Sequence, residues 1–162
     1  MRRVSGRITI VSGGQTGVDR GALDAALAAG WPCGGWCPAG RRAEDGTIPD
    51  RYPLSELSAP DYPARTLRNV LDSDGTVIIH FRRLAGGTAL TERICRDHRK
   101  PVLVMDGTVL TATATADAIQ AFVVSAGIGL LNVAGPRESE DGRGYAFARD
   151  AIGRLLGLRS GD

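Results

Sequence analysis

The sequence predicts an α/β fold, a mostly parallel sheet covered by helices on both faces. Three observations lead there. Short apolar runs rich in β-branched residues alternate with segments whose apolar positions recur at helical spacing. The connections between most of them are short, and right-handed crossovers between parallel strands place helices on each face. Three of the runs also empty into glycine-centred loops, SGGQTG, GGTALT and GPRES, which such a sheet gathers at the carboxyl ends of its strands, where ligands bind.

The first run, Ile8 to Val11, reads as a short buried strand. After it, Gly13, Gly14 and Gly17 let the backbone curl with its N–H groups exposed. Ser12, Gln15 and Thr16 add side-chain donors beside the positive end of a helix that aligns Val18, Ala22, Ala25, Ala26 and Ala29. Such a loop suits an anion, most often a phosphate. It is not a Walker A loop, because no Gly-Lys-Ser/Thr follows, and not the dinucleotide fingerprint, because GGxxG lacks the first spaced glycine.

Gly30 stops this helix. The stretch from Trp31 to Pro63 then holds Pro32, Pro38, Pro49, Pro53, Pro60 and Pro63, with room for one short strand near Pro32 to Trp36. That leaves an excursion at about 37–61, longer than compact domains tolerate without a function. Trp36, Tyr52, Leu54 and Tyr62 argue that it is ordered and packed over an edge or mouth of the sheet. A short helix follows from Ala64 to Asp72, with Leu67, Val70 and Leu71 inward and Arg65, Arg68, Asn69 and Asp72 on the wet face.

Thr76 to His80 is a second buried strand, running to Gly86, Gly87 and Thr88 and a helix with Leu90, Ile94, Cys95 and His98 on one side. The continuous run PVLVM from Pro101 suits a strand buried on both faces. TVLTATATA is ambiguous, and a helix is expected from about Ala116 to Ala126. The last strand lies within Gly127 to Val133. It opens into Ala134, Gly135, Pro136, Arg137, Glu138 and Ser139, and a closing helix carries Ala148, Ile152, Leu155 and Leu156. The tail LRSGD is expected to fray.

Composition sets the frame. The 162 residues fit a single domain spanning 1–162, large enough to bury a core without staples. A net charge of +2, from 20 basic and 18 acidic residues spread along the chain, lacks the polyelectrolyte signature of nucleic-acid proteins. Three cysteines, an odd number, argue against a disulfide framework and for a reducing, cytoplasmic setting. No apolar run reaches membrane-spanning length, and MRRVSGR leads into a strand instead of a signal-peptide core, so no membrane association is expected.

Individual residues carry competing readings. Asp19 in a first helical turn is read as a cap ahead of a catalytic acid, because the dipole favours an acid there. Arg137, in a glycine-proline loop at the expected mouth, suits a phosphate or oxyanion. Arg41 and Arg42 fit either closure over the same ligand or a solvated run. Cys33 and Cys37 have no zinc-finger partners and read as buried small residues ahead of soft ligands. His80, at a strand end, is a weak acid/base candidate, and His98 a helix-end residue. No Ser-His-Asp set, HExxH, paired-carboxylate motif or GxSxG elbow is present. The ligand-binding set expected from the loops is Ser12, Gly13, Gly14, Gln15, Thr16, Gly17, Arg20, Gly86, Gly87, Thr88, Gly135, Pro136, Arg137 and Ser139, with no catalytic residue and no resident metal ligand.

The strings SGGQTGVDR, CGGWCPAGRRAEDGTIPDRYPL, RTLRNVLDSDGTVII, GGTALT and LNVAGPRES, in that order over nearly the whole chain, resemble the family named putative molybdenum carrier, or molybdenum cofactor carrier protein. The resemblance implies a Rossmann-like three-layer fold related to the lysine-decarboxylase-like and nucleotide hydrolase superfamily. It further implies binding of the molybdenum cofactor, an anionic phosphate-bearing pterin, without chemistry. Homo-oligomers, dimeric or tetrameric, and contacts with molybdoenzymes or cofactor-synthesis proteins go with it. On this reading glycine loops and helix N-termini hold the phosphate, while Arg137 and the Arg41–Arg42 arm offset charge at the dithiolene or oxo end.

Two alternatives stand beside it. The related hydrolases act on nucleoside monophosphates and carry PGGxGTxxE. Here the matching run, GGTALTE, places Thr91 where the glutamate belongs, with Glu92 about 100° further round the helix. A nucleotide-sensing module is the second alternative.

Overall fold

The computed structural model describes residues 6–158, so most of MRRVSGR and of the tail expected to fray lies outside the described residues. Along the chain the elements are β1 (Thr9–Val11), α1 (Val18–Ala29), β2 (Cys33–Gly34), β3 (Trp36–Cys37), β4 (Arg42–Ala43), β5 (Gly46–Thr47) and β6 (Ser55–Glu56). They continue with α2 (Tyr62–Asp72), β7 (Gly75–His80), α3 (Gly86–Asp97), β8 (Val102–Asp106), α4 (Ala112–Ala126), β9 (Leu130–Ala134) and α5 (Gly144–Leu155). The central sheet has five parallel strands in the order β2-β1-β9-β7-β8. Helices α1, α4 and α5 cover one face and α2 and α3 the other, the Rossmann-like three-layer arrangement.

The main core lies under α1, α4 and α5. Ile10, Val77, Ile79, Leu131 and Val133 of the sheet meet Val18, Ala22, Ile119 and Ile152 of the helices there, all 0 % exposed. Each large aliphatic side chain buried in this way contributes roughly 1.5–3 kcal/mol before entropy is counted. Alanines on α1 and α5 keep that pair close, and Phe81 meets Phe147 edge to face at 5.5 Å.

Several elements depart from the sequence reading, each for a local reason. The strand expected near Pro32 to Trp36 divides at Gly35. The Gly34 carbonyl accepts from Ser12 N at 3.0 Å, inside the main sheet, whereas the Gly35 carbonyl accepts from Ser55 N at 2.8 Å, outside it. The excursion is ordered as expected but carries more strand: β3 pairs with β6 in parallel and β4 with β5 as an antiparallel hairpin. It has its own small core of Cys37, Ile48 and Tyr52 against Leu23 of α1.

Arg41 staples this excursion from within. Its guanidinium donates to the carbonyls of Ile48, Pro49, Tyr52 and Leu54 at 2.8–3.2 Å. That corrects its expected place in a ligand-binding arm. Helix α2 starts earlier than read, with Asp61 capping Ala64 N at 2.7 Å and Pro63 accommodated in the first turn. On it, Asn69 is buried and not on the wet face: its amide donates to Trp36 O at 3.0 Å and accepts from Trp36 N at 2.8 Å, locking α2 to β3.

Helix α3 takes in Gly86 and Gly87. The ambiguous threonine-alanine run resolves into α4 because Thr111 caps Ala114 N at 3.1 Å. Strand β8 has helices on both faces, α3 on one and α4 on the other, but is only half-buried, since it is the sheet's edge and pairs with β7 alone.

Candidate functional site

Three segments meet at the carboxyl edge of the sheet: the loop after β1, the loop after β9 and the start of α3. Together with α2 they enclose a cavity of about 390 Å³. The strand order explains its position. The crossover from β1 to β2 runs outward through α1, and that from β7 to β8 runs the other way through α3, so the loops part above β9.

The loop after β1 is knitted by its own side chains. Gly14 N donates to Ser12 Oγ at 3.4 Å, Thr16 N to Gln15 Oε1 at 3.1 Å and Gln15 N to Asp19 Oδ2 at 3.2 Å. Val18 N reaches across to Pro136 O at 3.3 Å. The two loops touch backbone to backbone at Gly17, whose φ is +82° and where a Cβ would lie 2.4 Å from Pro136 O. A side chain at Gly13 would instead meet Arg65 Nη1 at 1.9 Å, because the Arg65 guanidinium lies directly over that glycine.

Arg65 is the cationic centre of the cavity wall. Its Nη1 stands 3.3 Å from Asp19 Oδ2, its Nε is buried without an acceptor among the described residues, and its guanidinium lies 5.5 Å from the Tyr62 ring centroid. Burial pushes the Asp19 carboxyl up to about 6, although the Arg65 charge, the Gln15 amide and Arg20 pull against it. Asp19 therefore accepts from the loop at Gln15 N, rather than capping the first turn of α1, and lines the cavity. Arg137 reaches the same space. Its Nε is 3.0 Å from Glu140 and 3.5 Å from Glu44, near in charge but not aligned in a hydrogen bond.

The N-terminus of α3 supplies a different group. Its N-cap, Ala85, offers no side-chain acceptor, and the exposed Gly86 and Gly87 line the cavity with the buried Thr88, so no side chain caps the first-turn N–H groups there. Thr91 lines the cavity while donating its hydroxyl to Gly87 O at 2.8 Å, and Glu92 pairs with Arg96 at 3.4 Å. The cavity carboxylates are accordingly Asp19 and Glu140, not an acid of α3.

The expected ligand set divides. Gly13, Gln15, Gly86, Gly87, Thr88, Gly135 and Arg137 line the cavity. Thr16, Gly17, Arg20 and Ser139 line a separate open depression against the excursion. There the β4–β5 hairpin provides Glu44, which accepts from the hydroxyls of Thr16 and Ser139 and from Ser139 N. Burial raises the Glu44 carboxyl, but these bonds and the Arg137 charge outweigh it and hold the carboxyl below the usual range. Asp45 takes Arg20 bidentately at 2.5 and 2.8 Å, and Arg20 Nε donates to Gly14 O at 3.1 Å.

Ser12 is buried beneath the loop, Gly14 faces Leu54 and Ile48, and Pro136 serves through its carbonyl. His80 and the three free cysteines do not line the cavity, and burial raises each thiol. Among the described residues no cluster of three metal-ligating side chains occurs, and no helix is long and apolar enough to cross a membrane.

Sequence reasoning passed over Tyr62, Arg65, Asn132 and Glu140. Only Asn132 carried a signal of its own, as the polar residue inside an otherwise apolar buried strand.

The comparisons agree with this fold. No curated protein matches the chain. A crystal structure of a protein named putative molybdenum carrier protein, from Syntrophus aciditrophicus SB, is 43% identical to it. The match covers 94% of this chain and 96% of that one, with a TM-score of 0.89. The model of the circularly permutated YpsA SLOG family matches residues 10–156. With that match spanning nearly every element of the sheet and its helices, the chain belongs to the circularly permutated YpsA SLOG family.

Proposed function

We propose that this protein is a carrier that binds the molybdenum cofactor, or a related phosphate-bearing pterin, in the cavity at the carboxyl edge of the sheet without transforming it. The observation that carries this reading is the convergence there of Arg65, Arg137 and the uncapped start of α3. A phosphate seated against Gly86, Gly87 and Thr88 gains free N–H groups and the helix dipole, with the arginines alongside. Oxygen and nitrogen groups line the cavity, so the dithiolene of the pterin itself would supply the sulfur around a carried metal. The name of the solved relative supports a molybdenum-linked cargo. A cytoplasmic homo-oligomer that passes this cargo to molybdoenzymes or cofactor-synthesis proteins belongs to the same proposal.

The test is retention. Purified protein is mixed with molybdenum cofactor freshly released from a donor enzyme, passed anaerobically through gel filtration, and the protein peak is assayed for molybdenum and pterin. About one of each per subunit, undisturbed by excess AMP, is expected. Absence of both from the peak would sink the carrier reading.

One observation favours a second reading, a nucleoside monophosphate hydrolase. Asp19, with its carboxyl pushed up to about 6, is a proton-transfer group inside the cavity. Against it, α3 presents Thr91 where the related enzymes carry glutamate. Release of adenine from AMP that disappears in Asp19→Asn would replace the carrier reading with this one.

A further inference from the structure

We infer that Asn132 reads the ring of the bound ligand by accepting an N–H from it, which makes the cargo a phosphorylated nitrogen heterocycle and not a bare oxyanion. This rests on the proposed function and adds to it the residue that recognises the ring. The observation is a buried amide with one end in use and the other open. Asn132 is 4 % exposed in the middle of β9, where a polar side chain is costly unless its hydrogen bonds are made.

Its Nδ2 donates at 3.2 Å to the hydroxyl of Thr76, its register partner on β7. Thr76 is itself fully buried. The hydrogen bond to its hydroxyl holds the amide with Nδ2 toward Thr76. Among the described residues no donor reaches the carbonyl oxygen Oδ1, and the residue lines the cavity.

Two neighbours complete the pattern. Thr88 is 6 % exposed, lines the cavity and makes no hydrogen bond with its hydroxyl among the described residues. Gln15 uses its Oε1 on Thr16 N and Glu44 N, which leaves its amide nitrogen for the cavity. The arginines, the α3 amides, Thr88 and Gln15 are donors suited to a phosphate. Asn132 Oδ1 is an acceptor, and a fully ionised oxyanion such as molybdate or a phosphate monoester dianion carries no proton to give it. Pterins and purines do carry ring or amino N–H groups, which is the chemistry the two share.

The experiment uses the full chain and isothermal calorimetry with four probes: molybdopterin released from a donor enzyme, GMP, ribose 5-phosphate and inorganic phosphate. For the unmodified protein, molybdopterin or GMP should bind at least about tenfold more tightly than ribose 5-phosphate. Which of the two does so distinguishes pterin from purine. In Asn132→Leu the preferred heterocycle should lose about ten- to hundredfold in affinity while inorganic phosphate stays within about twofold.

Equal loss for phosphate and heterocycle would mean that Asn132 only supports the fold, and would overturn the inference. So would an unmodified protein that binds ribose 5-phosphate as well as either heterocycle, an outcome that leaves anion binding standing. Failure of all four probes to bind removes the proposed function together with the inference.

Discussion

The loop after β1 has two sides, and they differ in what its neighbours leave unsatisfied. Toward α2 and α3 the surrounding groups are open among the described residues: Arg65 Nε lacks an acceptor, Thr88 and Asn132 keep free oxygens, and the start of α3 has no side-chain cap. Toward the excursion the same loop meets Glu44 and Asp45, which take up Thr16, Ser139 and Arg20. Residues of similar chemistry thus have opposite roles. On one side they can receive an external anion; on the other an internal carboxylate already occupies them. The two sides also treat acids oppositely, raising Asp19 and lowering Glu44.

The contact that holds both sides in place gives the largest expected effect. Gly17→Ala places a Cβ against the Pro136 carbonyl at a φ of +82°, where neither backbone can retreat. Urea denaturation should show a loss of about 4 kcal/mol, from strain and clash together. A loss under about 1 kcal/mol would mean that the two loops are not locked to each other.

Next comes the pH dependence of the cavity side. The folded Asp19 carboxyl holds its proton to about 6, whereas the unfolded one releases it near 3.8, so protonation favours the folded state. Stability from this group is greatest at low pH and is lost as the pH rises through 6. The unfolding free energy of the unmodified protein minus that of Asp19→Asn should therefore increase by about 2–3 kcal/mol between pH 7 and pH 4. A flat difference would show that Asp19 is solvated and the cavity wall looser than described.

A direct contrast of two arginines sharpens the comparison further. Arg65→Ala should weaken retention of a phosphate-bearing ligand about tenfold or more, roughly 1.4 kcal/mol, and loss of its charge should push the Asp19 carboxyl further up. Arg20→Ala, on the side already filled by Asp45, should leave retention within about twofold. If the two variants behave alike, the division into open and filled sides fails.

The smallest effect is expected for Glu44→Gln. It keeps an acceptor for Thr16 and Ser139 but loses the charge, at a partly exposed position, so thermal unfolding should report about 1 kcal/mol or less.

Much of this protein is legible along the chain. Strand and helix type follow from patterns spanning a few residues, so the parallel sheet, its two helical layers and the three loops at its carboxyl edge could all be read from Ile8 to Leu156. The excursion could be recognised as ordered from its prolines and aromatics. What could not be read was which side of a loop a side chain takes and what meets it there. Arg41 and Arg137 look alike in sequence, each in a turn beside glycine, yet one is bound to four backbone carbonyls and the other lines a cavity.

Arg65 and Asn69 sat on a helix whose outer and inner faces depended on where β3 and the cavity would lie. Local periodicity carries information over one turn of helix or one strand. The partner that completes Thr16 lies 28 residues away, that of Asp19 lies 46 and that of Asn132 lies 56. The sequence by itself thus determined the layers and where their loops gather, because backbone propensity and apolar spacing are local. Only the tertiary structure decided which donors remain open to a ligand, because a buried polar group is satisfied by whatever the fold brings within hydrogen-bonding distance.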